Sequence, residues 1–533
     1  MGDCKVGGSD GVTIESVAQM FGRFSGELFE LLPGWQQRLH EDPQDLDEIE
    51  LKVHRAFTQG AGQIVGGLIA VVMASAELEQ AAEQTRKNFS HPLAKGRKRS
   101  IRVKLLGGFM MWISSLYCEP RRGMFRQADD QASGVYIEMT QFGFGRKVSP
   151  GLESQVARQS ALCPSFQLAR AELERSGTKL NLKTVRRIAQ QCGDKLLQFR
   201  TIQLQQWRAG TLPAGDELAG KRVTVQIDGG RTKLREVLKT STPAEDPVNE
   251  DGLVISDAPG RSKPTAKRTF CAEWREPKLM TIFIHNDQGR MVKKSEATID
   301  GTFTGPDAMA ELVAMHLHRL GAAQAQSITF VSDGAVWIWD RIDRIVSQAG
   351  ISTGVSIYQV LDNCHATHHV SLALATLGVS VETRMPLYRD LRTQLRNGQW
   401  KDVVGELQQF ADDDPHNTEL QTELAYLNRH GAAGRLNYAT FKKMGLPVGS
   451  GAIESSIRRV INLRLKGNGI FWKEENAKSM LQLRSLVISN RWDDHVGSMR
   501  RWHRDARLAD WRWQPQPMSS KTEPQTPTPQ ITA

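Results

Sequence analysis

Cysteine is scarce in this chain: there are six among 533 residues, scattered without any pairing framework. The first ten residues are polar and glycine-rich, so we expect no secretory signal. These features exclude a small secreted scaffold built on disulfides. They favour a reducing compartment, and we expect a cytoplasmic protein.

Long hydrophobic runs are also lacking. The most apolar stretch, residues 64–74, is shorter than the roughly 20 residues of a bilayer span, and it continues into the charged stretch 77–80. It predicts a buried helix, and we expect no membrane partner. A strong charge of one sign is missing as well, because the formal net charge of +10 is a modest excess for this length. That excess is compatible with a polyanionic partner and is also common in proteins that bind none.

Two helical regions are predicted before residue 217. Apolar side chains recur at three- and four-residue spacing in residues 12–32, 46–59 and 64–87, which predicts a helical N-terminal region over residues 1–110. The basic run 95–104 contains Arg97 and Arg99. Such a run is either a solvated loop or a contact to phosphates, and both interpretations stay open here.

Residues 111–216 are predicted to form a helical DNA-binding region. Helical patterns at 165–175 and 185–199 flank a short break, with Thr184 as the expected N-cap of the second helix. Two helices around a tight turn fit a helix-turn-helix. An ordinary helical hairpin has the same pattern, so the motif is not specific.

The character of the sequence changes after Lys221. The β-branched run 222–228 predicts a strand, and residues 232–238 are predicted as its hairpin partner across a glycine turn. Further elements follow in the order strand 279–284, helix 306–320, strand 327–332, helix 337–349 and strand 354–361. Because a helix separates the last two strands, they should pair in parallel. This order is typical of an α/β RNase H-like core with a mixed five-stranded sheet.

The predicted core is interrupted by a second helical segment. Its first part spans residues 217–365, an all-helical insertion spans 366–446, and C-terminal helices with a basic segment span 447–513. Residues 240–268 are rich in Pro, Ser, Asp and Lys, which predicts a long exposed loop. The tail 514–533 has the composition of a disordered segment.

Three carboxylates stand at matching places in this predicted fold. Asp228 ends the first strand, Asp333 directly follows the fourth, and Glu454 lies in the first turn of a helix that Gly449 or Ser450 starts. Since the first and fourth strands of such a sheet are neighbours, the three side chains should converge at a strand-end crevice. Taken singly, an Asp before two glycines is a turn residue and an Asp after a strand is a helix cap. The order of all three acids in the chain favours instead one shared functional site.

A site of this kind suits two hard divalent cations. Mg²⁺ prefers oxygen ligands in octahedral geometry, and two such ions can serve an in-line phosphoryl displacement. We expect two Mg²⁺ or Mn²⁺ ions, with Asp228 bridging them and Asp333 and Glu454 each completing one. Without the ions, three neighbouring carboxylates would repel one another.

The local motifs resemble those of a known family. Residues 225–231 (VQIDGGR), 331–337 (VSDGAVW) and 449–455 (GSGAIES) resemble the three catalytic motifs of bacterial insertion-sequence transposases of the ISKra type, which are related to the Mutator-like DDE group. Residues 362–365 (DNCH) match the signature between the second Asp and the Glu of related groups, and 460–472 is similar to their basic stretch. The resemblance covers residues 222–492, and more faintly 149–199.

The resemblance implies an activity and its partners. It implies a DDE recombinase acting on the terminal inverted repeats of its own element and on target DNA, in the bacterial nucleoid and as a homo-oligomer. Family members often carry a Cys-x-x-Cys zinc knuckle before the second N-terminal region. Only Cys118 stands near that place, so no structural zinc is predicted.

A second group of metal-binding residue types follows the fifth strand. It consists of Asp362, Cys364, His365, His368 and His369. On a helix, His365 and His369 would share one face, as the ligands of zinc sites do. We favour instead a role in which Asp362 and His365 orient a metal ligand or a DNA strand from behind the site. Purely structural roles are the remaining alternative.

Basic residues cluster after Glu454. The predicted DNA contacts are Arg231, Arg458, Arg459, Arg464 and Lys466, together with Arg97 and Arg99. Tryptophans interleave with the C-terminal ones, namely Trp472, Trp492, Trp502, Trp511 and Trp513. Basic groups beside aromatic rings suit phosphate contacts and stacking on unpaired bases. The alternative for Trp472 and Trp492 is the hydrophobic core. Asp300, the main competitor as a further site carboxylate, precedes a predicted turn and is assigned a structural role.

The predicted function is DNA cleavage followed by 3′-OH strand transfer. One alternative is a DNA-binding regulator derived from a transposase that has lost catalysis. Another is a nuclease that keeps an RNase H-like fold. The presence of all three acids argues against the first alternative, and the formation of joined DNA products distinguishes the second.

Overall fold

The computed structural model describes residues 4–5, 13–87, 93–119, 134–145, 147–237, 270–467 and 469–509. The chain divides into two compact units, one formed by Met1–Phe199 with Asp493–Ala533 and the other by Arg200–Trp492. The predicted loop 240–268, the predicted tail 514–533, Trp511 and Trp513 lie outside the described residues.

The first unit combines helices with a small sheet. Its elements are β1 (Cys4–Lys5), α1 (Ile14–Glu30), α2 (Leu32–Glu41), α3 (Leu46–Met73), α4 (Ala76–Lys87), β2 (Arg97–Lys104), β3 (Met110–Cys118), β4 (Val135–Tyr136), α5 (Ile137–Gln141), α6 (Pro150–Leu162), α7 (Phe166–Arg175) and the first part of α8 (Leu182–Arg208). Strand β3 pairs with β2 and β4 antiparallel and with β1 in parallel.

The strands add a small sheet to the regions 1–110 and 111–216, which were predicted to be mainly helical. The basic run 95–104, for which a solvated loop and a phosphate contact were both left open, contains all of β2. Ile101 and Val103 alternate with charged residues there, and this period of two presents their side chains to one face of a strand. Val103 is buried with Met111 and Ile113 of β3, so cross-strand packing outweighs the loop-like charge.

The apolar helix α3 is only partly buried. Gly66, Gly67 and Ala70 are buried, whereas Val65 and Leu68 are each almost half exposed. A Cβ at Gly67 would come within 2.7 Å of Val17, so glycine permits the close approach of α1. The prediction of a buried helix is therefore right for one face only. By length and composition alone the stretch Pro43–Met73 could cross a membrane, and 28% of its most apolar window is buried.

The predicted helix-turn-helix corresponds to α7 and α8. The side-chain oxygen of Asn181 accepts a hydrogen bond from the Thr184 amide at 2.8 Å. Asn181 therefore caps α8, which corrects the expectation for Thr184, and α8 continues beyond residue 199 to Arg208. Whether this pair of helices binds DNA stays a prediction.

The second unit is built on a mixed five-stranded sheet, which confirms that part of the predicted fold. Its elements up to the last strand are β5 (Arg222–Gly229), β6 (Thr232–Val237), β7 (Phe270–Arg275), β8 (Lys278–Ile284), β9 (Thr298–Thr302), α9 (Pro306–Arg319), β10 (Ser327–Ser332), α10 (Val336–Trp339), α11 (Ile342–Gln348) and β11 (Ser356–Leu361). The strand order is β11-β10-β5-β8-β9. Strand β10 is parallel to both β5 and β11, and the β5–β8 and β8–β9 pairs are antiparallel.

The partner of β5 differs from the predicted one. Residues 232–238 were predicted to pair with it, but β8 takes that place and β6 pairs with β7 in a separate two-stranded sheet. Strand β5 is central and buried, so it needs a neighbour that is apolar on both faces. The sequence KLMTIFI of β8 meets that need, whereas TKLREV of β6 carries three charges. Strand β9 was also missed, because its sequence TIDGT resembles a turn.

The segment after β11 is helical. It contains α12 (Asn363–Ala375), α13 (Val381–Arg396), α14 (Trp400–Asp413), α15 (Thr418–Ala432) and α16 (Tyr438–Lys443). Every regular element between Asn363 and Lys443 is a helix, in agreement with the all-helical insertion predicted over residues 366–446. Their buried residues belong to one hydrophobic cluster with those of the sheet, including Phe330 and Leu427.

The C-terminal helices are shorter than predicted. Helix α17 (Gly451–Ile457) widens into a π-helix (Arg458–Asn462), and α18 (Glu474–Ile488) begins only after an irregular stretch. The buried guanidinium of Arg484 donates to the carbonyl oxygen of Val460 at 3.0 Å and to that of Arg459. These contacts satisfy carbonyl groups in the wide turn, and the C-terminal part of the chain forms several helices separated by irregular stretches.

The last helix, α19 (Trp492–Ala509), belongs almost wholly to the first unit. Its Arg500 donates to the carbonyl oxygen of Pro150, and the ring of Trp502 lies 5.8 Å from that of Phe199. Val496 and Met499 are buried. These apolar residues pack in the first unit, whereas the predicted segment 447–513 placed residues from 493 onward with the catalytic core.

Candidate active site

The sheet brings Asp228 and Asp333 to the same edge. Strands β5 and β10 run in parallel as neighbours, Asp228 stands near the carboxyl end of β5, and Asp333 directly follows β10. The Ile227 amide donates to the Ser332 hydroxyl at 3.2 Å, which ties the two strand ends together. The predicted convergence of the two aspartates therefore follows from the pairing of these strands.

Glu454 is positioned by a glutamine on β5. The amide nitrogen of Gln226 donates to the Gly449 carbonyl, and its oxygen accepts from the Ile453 amide, each at 2.9 Å. One side chain thus holds the residues that lead into and form the first turn of α17. The Ser450 hydroxyl donates to the Glu454 carboxylate at 3.1 Å. Glu454 is consequently fixed next to the strand that carries Asp228.

Asp362 fastens the end of β11 to the start of α17. One of its oxygens accepts from the His365 amide at 2.8 Å and lies 3.1 Å from Nδ1 of the His365 ring, while the other accepts from the Ser450 amide. Burial raises the pKa of Asp362, but the hydrogen bonds from His365 and Ser450 outweigh burial and hold that pKa at about 2. This carboxylate is ionised and orients its neighbours.

His365 lies beside the carboxylates. A ring nitrogen of His365 and carboxylate oxygens of Asp362 and Glu454 all lie within 4.8 Å of one another. The hydrogen bond to Asp362 raises the pKa of His365 against the effect of burial, and Asp333 and Glu454 raise it further. A carboxylate that holds one ring nitrogen fixes the orientation of the imidazole.

The pKa of Asp228 is clearly shifted by its surroundings in the site. Burial raises its pKa to about 6, with Asp333 and Glu454 contributing, while the Gly229 amide and His365 lower it. The Gly229 amide donates to an oxygen of Asp228 at 2.5 Å. Burial and the neighbouring carboxylates therefore both disfavour the ionised form of Asp228, and a cation bound among these oxygens would favour it. An all-oxygen set of carboxylates suits hard divalent ions.

The helical segment contacts the loop that carries Asp333. Helix α15 places the ring of Tyr426 against Gly334, where an added Cβ would lie 2.1 Å from the ring. The buried Tyr426 hydroxyl has no hydrogen-bond partner among the described residues. The indole nitrogen of Trp339 donates to the Asp333 carbonyl at 2.8 Å. Only a glycine after Asp333 permits this packing, and no local motif pointed to Tyr426.

The basic residues that were predicted to contact DNA differ in their exposure. Arg231, Arg458, Arg459 and Lys466 are exposed in the second unit. Arg464 is buried, with only 4% of its surface exposed, and its guanidinium lies 5.1 Å from the centre of the Trp472 ring. The prediction that Arg464 contacts DNA is therefore wrong, because its stem and head pack inside this segment.

In the first unit, Arg97 is exposed, and Arg99 lies 4.0 Å above the Tyr117 ring and 3.6 Å from Glu119. Trp472 and Trp492 are buried, which confirms the core alternative for both residues.

The chain matches no protein-family model, no curated protein and no solved structure.

Proposed function

We propose that this chain is a DDE transposase that cleaves DNA at the ends of its element and transfers the resulting 3′-OH strand into target DNA. The observation that carries this proposal is that Asp228 and Asp333 stand at the ends of neighbouring parallel strands, with Glu454 on the helix held against β5, and that Asp333 and Glu454 both raise the pKa of Asp228. The motif resemblance of residues 225–231, 331–337 and 449–455 supports it independently.

The proposed fold of the catalytic core is RNase H-like. In chain order, β5, β8 and β9 form an antiparallel meander, and β10 and β11 then add in parallel on the other side of β5. That arrangement supports the proposal, as does a helical segment between the second and third acids. A fold by itself does not establish an activity, so the acids remain the decisive feature.

The residues present fit two divalent cations, Mg²⁺ or Mn²⁺. The carboxylates of Asp228, Asp333 and Glu454 would hold these ions. When bound, such ions activate the attacking oxygen and stabilise the leaving oxygen of an in-line displacement at phosphorus. Asp362 would hold His365 and the start of α17 in place, and His365 would face the substrate phosphates.

The reaction then has two steps at phosphorus. A water molecule attacks the phosphodiester at the element end, and the products are a free 3′-OH and a 5′-phosphate. The freed 3′-OH attacks a phosphodiester of target DNA and displaces another 3′-OH. No covalent bond between protein and DNA is required. We propose that a homo-oligomer holds two element ends for the second step.

The experiment uses the full chain and DNA bearing the inverted repeats that flank its reading frame. With Mg²⁺ we expect cleaved ends and joined products in a plasmid target, and neither in a chelator. Hydrolysis without joining would replace the proposal by a nuclease. Sequence-specific binding without any metal-dependent cleavage would replace it by a regulator derived from a transposase.

A further inference from the structure

The β6–β7 hairpin has two chemically different faces. Residues that pair directly across the two strands share a face, so Lys233 lies beside Trp274, and Arg235 beside Ala272. On the opposite face, Leu234 lies beside Glu273. Alternate residues therefore place both acids of this hairpin, together with Arg275, on one face, and Lys233 and Arg235 on the other.

The first face combines basic and aromatic side chains. The Lys233 ammonium lies 4.9 Å from the centre of the Trp274 ring, and the Arg235 guanidinium lies 5.1 Å from the centre of the Phe270 ring. Trp274 is 53% exposed, although burial of a tryptophan side chain is strongly favourable. An exposed indole flanked by cations is a surface that a partner with π-faces and negative charge would complete.

The segment after α17 extends this face. Its backbone runs beside β6, since the Arg235 amide donates to the Trp472 carbonyl at 2.7 Å. Lys466 lies 5.9 Å from the centre of the Trp274 ring. The ring of Phe471, which is 41% exposed, lies 5.9 Å from that of Phe270. We call this surface the aromatic-basic face, and it consists of Lys233, Arg235, Phe270, Trp274, Lys466 and Phe471.

The opposite face carries the acids of the hairpin. Glu236 and Glu273 both lie there, and both are ion-paired with Arg275, the latter at 3.0 Å. One arginine therefore pairs with both acids of that face, which keeps a net negative charge. No acid stands on the first face at strand positions 233, 235, 270, 272 or 274. The segregation of charge favours a polyanion on the first face.

We infer that the aromatic-basic face binds unpaired nucleotides of the DNA strand next to the scissile phosphate. In a duplex the faces of the bases are stacked on each other, so an indole can stack only on a base that is unpaired or at an end. The hairpin begins at Thr232, only four positions after Asp228. Its first residue is therefore close along the chain to the carboxylate site. The assignment to DNA rests on the proposed function, and the basic groups supply the phosphate contacts.

Binding is measured with the full chain in a chelator, so that no cleavage is required. The probes are a short single-stranded oligonucleotide containing 2-aminopurine and the matched duplex. We expect Trp274→Ala to weaken single-strand binding about 5- to 100-fold and to abolish quenching of the 2-aminopurine. Trp274→Phe should retain most of both signals. Duplex affinity should change less than twofold.

A charge-matched pair of variants tests the two faces. Arg235→Ala should lower the slope of single-strand affinity against salt, on logarithmic axes, by about 0.7. Arg275→Ala removes the same charge from the opposite face and should leave that slope unchanged. Equal slopes for these two variants would overturn the inference, as would equal losses of duplex and single-strand binding in Trp274→Ala.

The two proposals fail in different ways. If the wild-type chain binds unpaired DNA through Trp274 but never cleaves or joins DNA, the transposase proposal fails and the binding face stands. If the chain cleaves and joins normally while Trp274→Ala binds unpaired DNA like the wild type, only the binding face is refuted. The melting temperature of Trp274→Ala, compared with that of Trp274→Phe, identifies any loss that comes from misfolding.

Discussion

Two aspartates on the same sheet have the same local sequence and opposite surroundings. Asp228 on β5 and Asp300 on β9 are each followed by glycine, and each accepts a hydrogen bond from the amide of that glycine, at 2.5 and 2.7 Å. Asp300 also lies 2.6 Å from Arg200 and 2.9 Å from His316. Asp228 faces other carboxylates.

The pKa values of the two groups move in opposite directions. Burial raises the pKa of Asp300, but Arg200 and His316 outweigh it and hold that pKa well below its usual range. For Asp228 burial and Asp333 act together and raise the pKa to about 6. A buried acid with paired cations serves the fold, whereas a buried acid facing other acids has a cost in stability that a bound cation or a proton removes. The comparison therefore separates a structural aspartate from a candidate catalytic one.

The largest expected effect is on DNA cleavage. We expect Asp228→Asn, Asp333→Asn or Glu454→Gln to lower metal-dependent cleavage and strand transfer at least about a hundredfold, because each removes a charge that holds a cation. Binding to the element ends should survive in all three variants. The measurement is single-turnover cleavage of a labelled end.

The matched control is the same substitution at the other aspartate. Asp300→Asn, assayed well below its melting temperature, should keep cleavage within a few-fold of the wild type. Cleavage that survives in Asp228→Asn but is lost in Asp300→Asn would reverse the assignment of the two acids.

The next effect is on stability and concerns Asp300. Asp300→Asn leaves the partly buried Arg200, whose side chain is 16% exposed, without its carboxylate partner, and breaking a buried pair costs about 3–5 kcal/mol in the free energy of unfolding. Arg200 also donates to the Gly301 carbonyl and to Gln482, so the loss should fall at the lower end of that range. Denaturant unfolding in a chelator measures the effect. A loss below about 1 kcal/mol would mean that the pair contributes little.

The sequence predicted most of the sheet because its central strands are long apolar runs. A strand that is buried on both faces is a nearly continuous apolar run, which is easy to recognise. Strands form at all four such runs, in residues 222–228, 279–284, 327–332 and 354–361. Strand β9 was missed because TIDGT is polar and contains glycine. Its Asp300 depends on a partner far along the chain, Arg200, which also donates to Gln482, and no local pattern shows these contacts.

The candidate site was predictable only where it lies on strand ends. Asp228 and Asp333 follow from the strand pattern, and Glu454 from the motif at a helix start. Gln226 holds α17 through Ile453, which lies 227 positions further along the chain. Tyr426, which packs on Gly334, lies 92 positions after that glycine. Contacts over such separations leave no local pattern in the sequence. Arg464 was misassigned because an exposed and a buried arginine look alike in a basic stretch.

The third prediction tests whether the packing of Tyr426 on Gly334 keeps Asp333 in position. Gly334→Ala would place a Cβ 2.1 Å from the Tyr426 ring, so either Asp333 or α15 must shift. Because a displacement of about 1 Å at a reacting centre can cost a hundredfold, we expect cleavage to fall about 10- to 100-fold. The double variant with Tyr426→Ala should recover at least part of the loss, since the smaller side chain makes room.

A second glycine provides the control for that experiment. Gly405 lies in α14, and an added Cβ there would meet nothing within 4 Å, so Gly405→Ala should leave cleavage unchanged. If the double variant Gly334→Ala, Tyr426→Ala cleaves no better than Gly334→Ala alone, contact with Tyr426 is not the reason that this position needs glycine.

The smallest effect returns to Asp228, now as a matter of stability. Its pKa is 3.8 in the reference state and about 6 in the fold, so the folded state holds the proton more tightly. The free energy of unfolding should therefore fall as pH rises from about 4 to about 6 and stay low above that. Asp228→Asn removes this dependence, and in a chelator at pH 8 it should be more stable than the wild type by about 1–2 kcal/mol. Saturating Mg²⁺ should stabilise the wild type and affect the variant less, because bound cations replace the missing compensation. A variant less stable than the wild type at pH 8 would show that Asp228, like Asp300, is held by favourable contacts, and the contrast between the two acids would be lost.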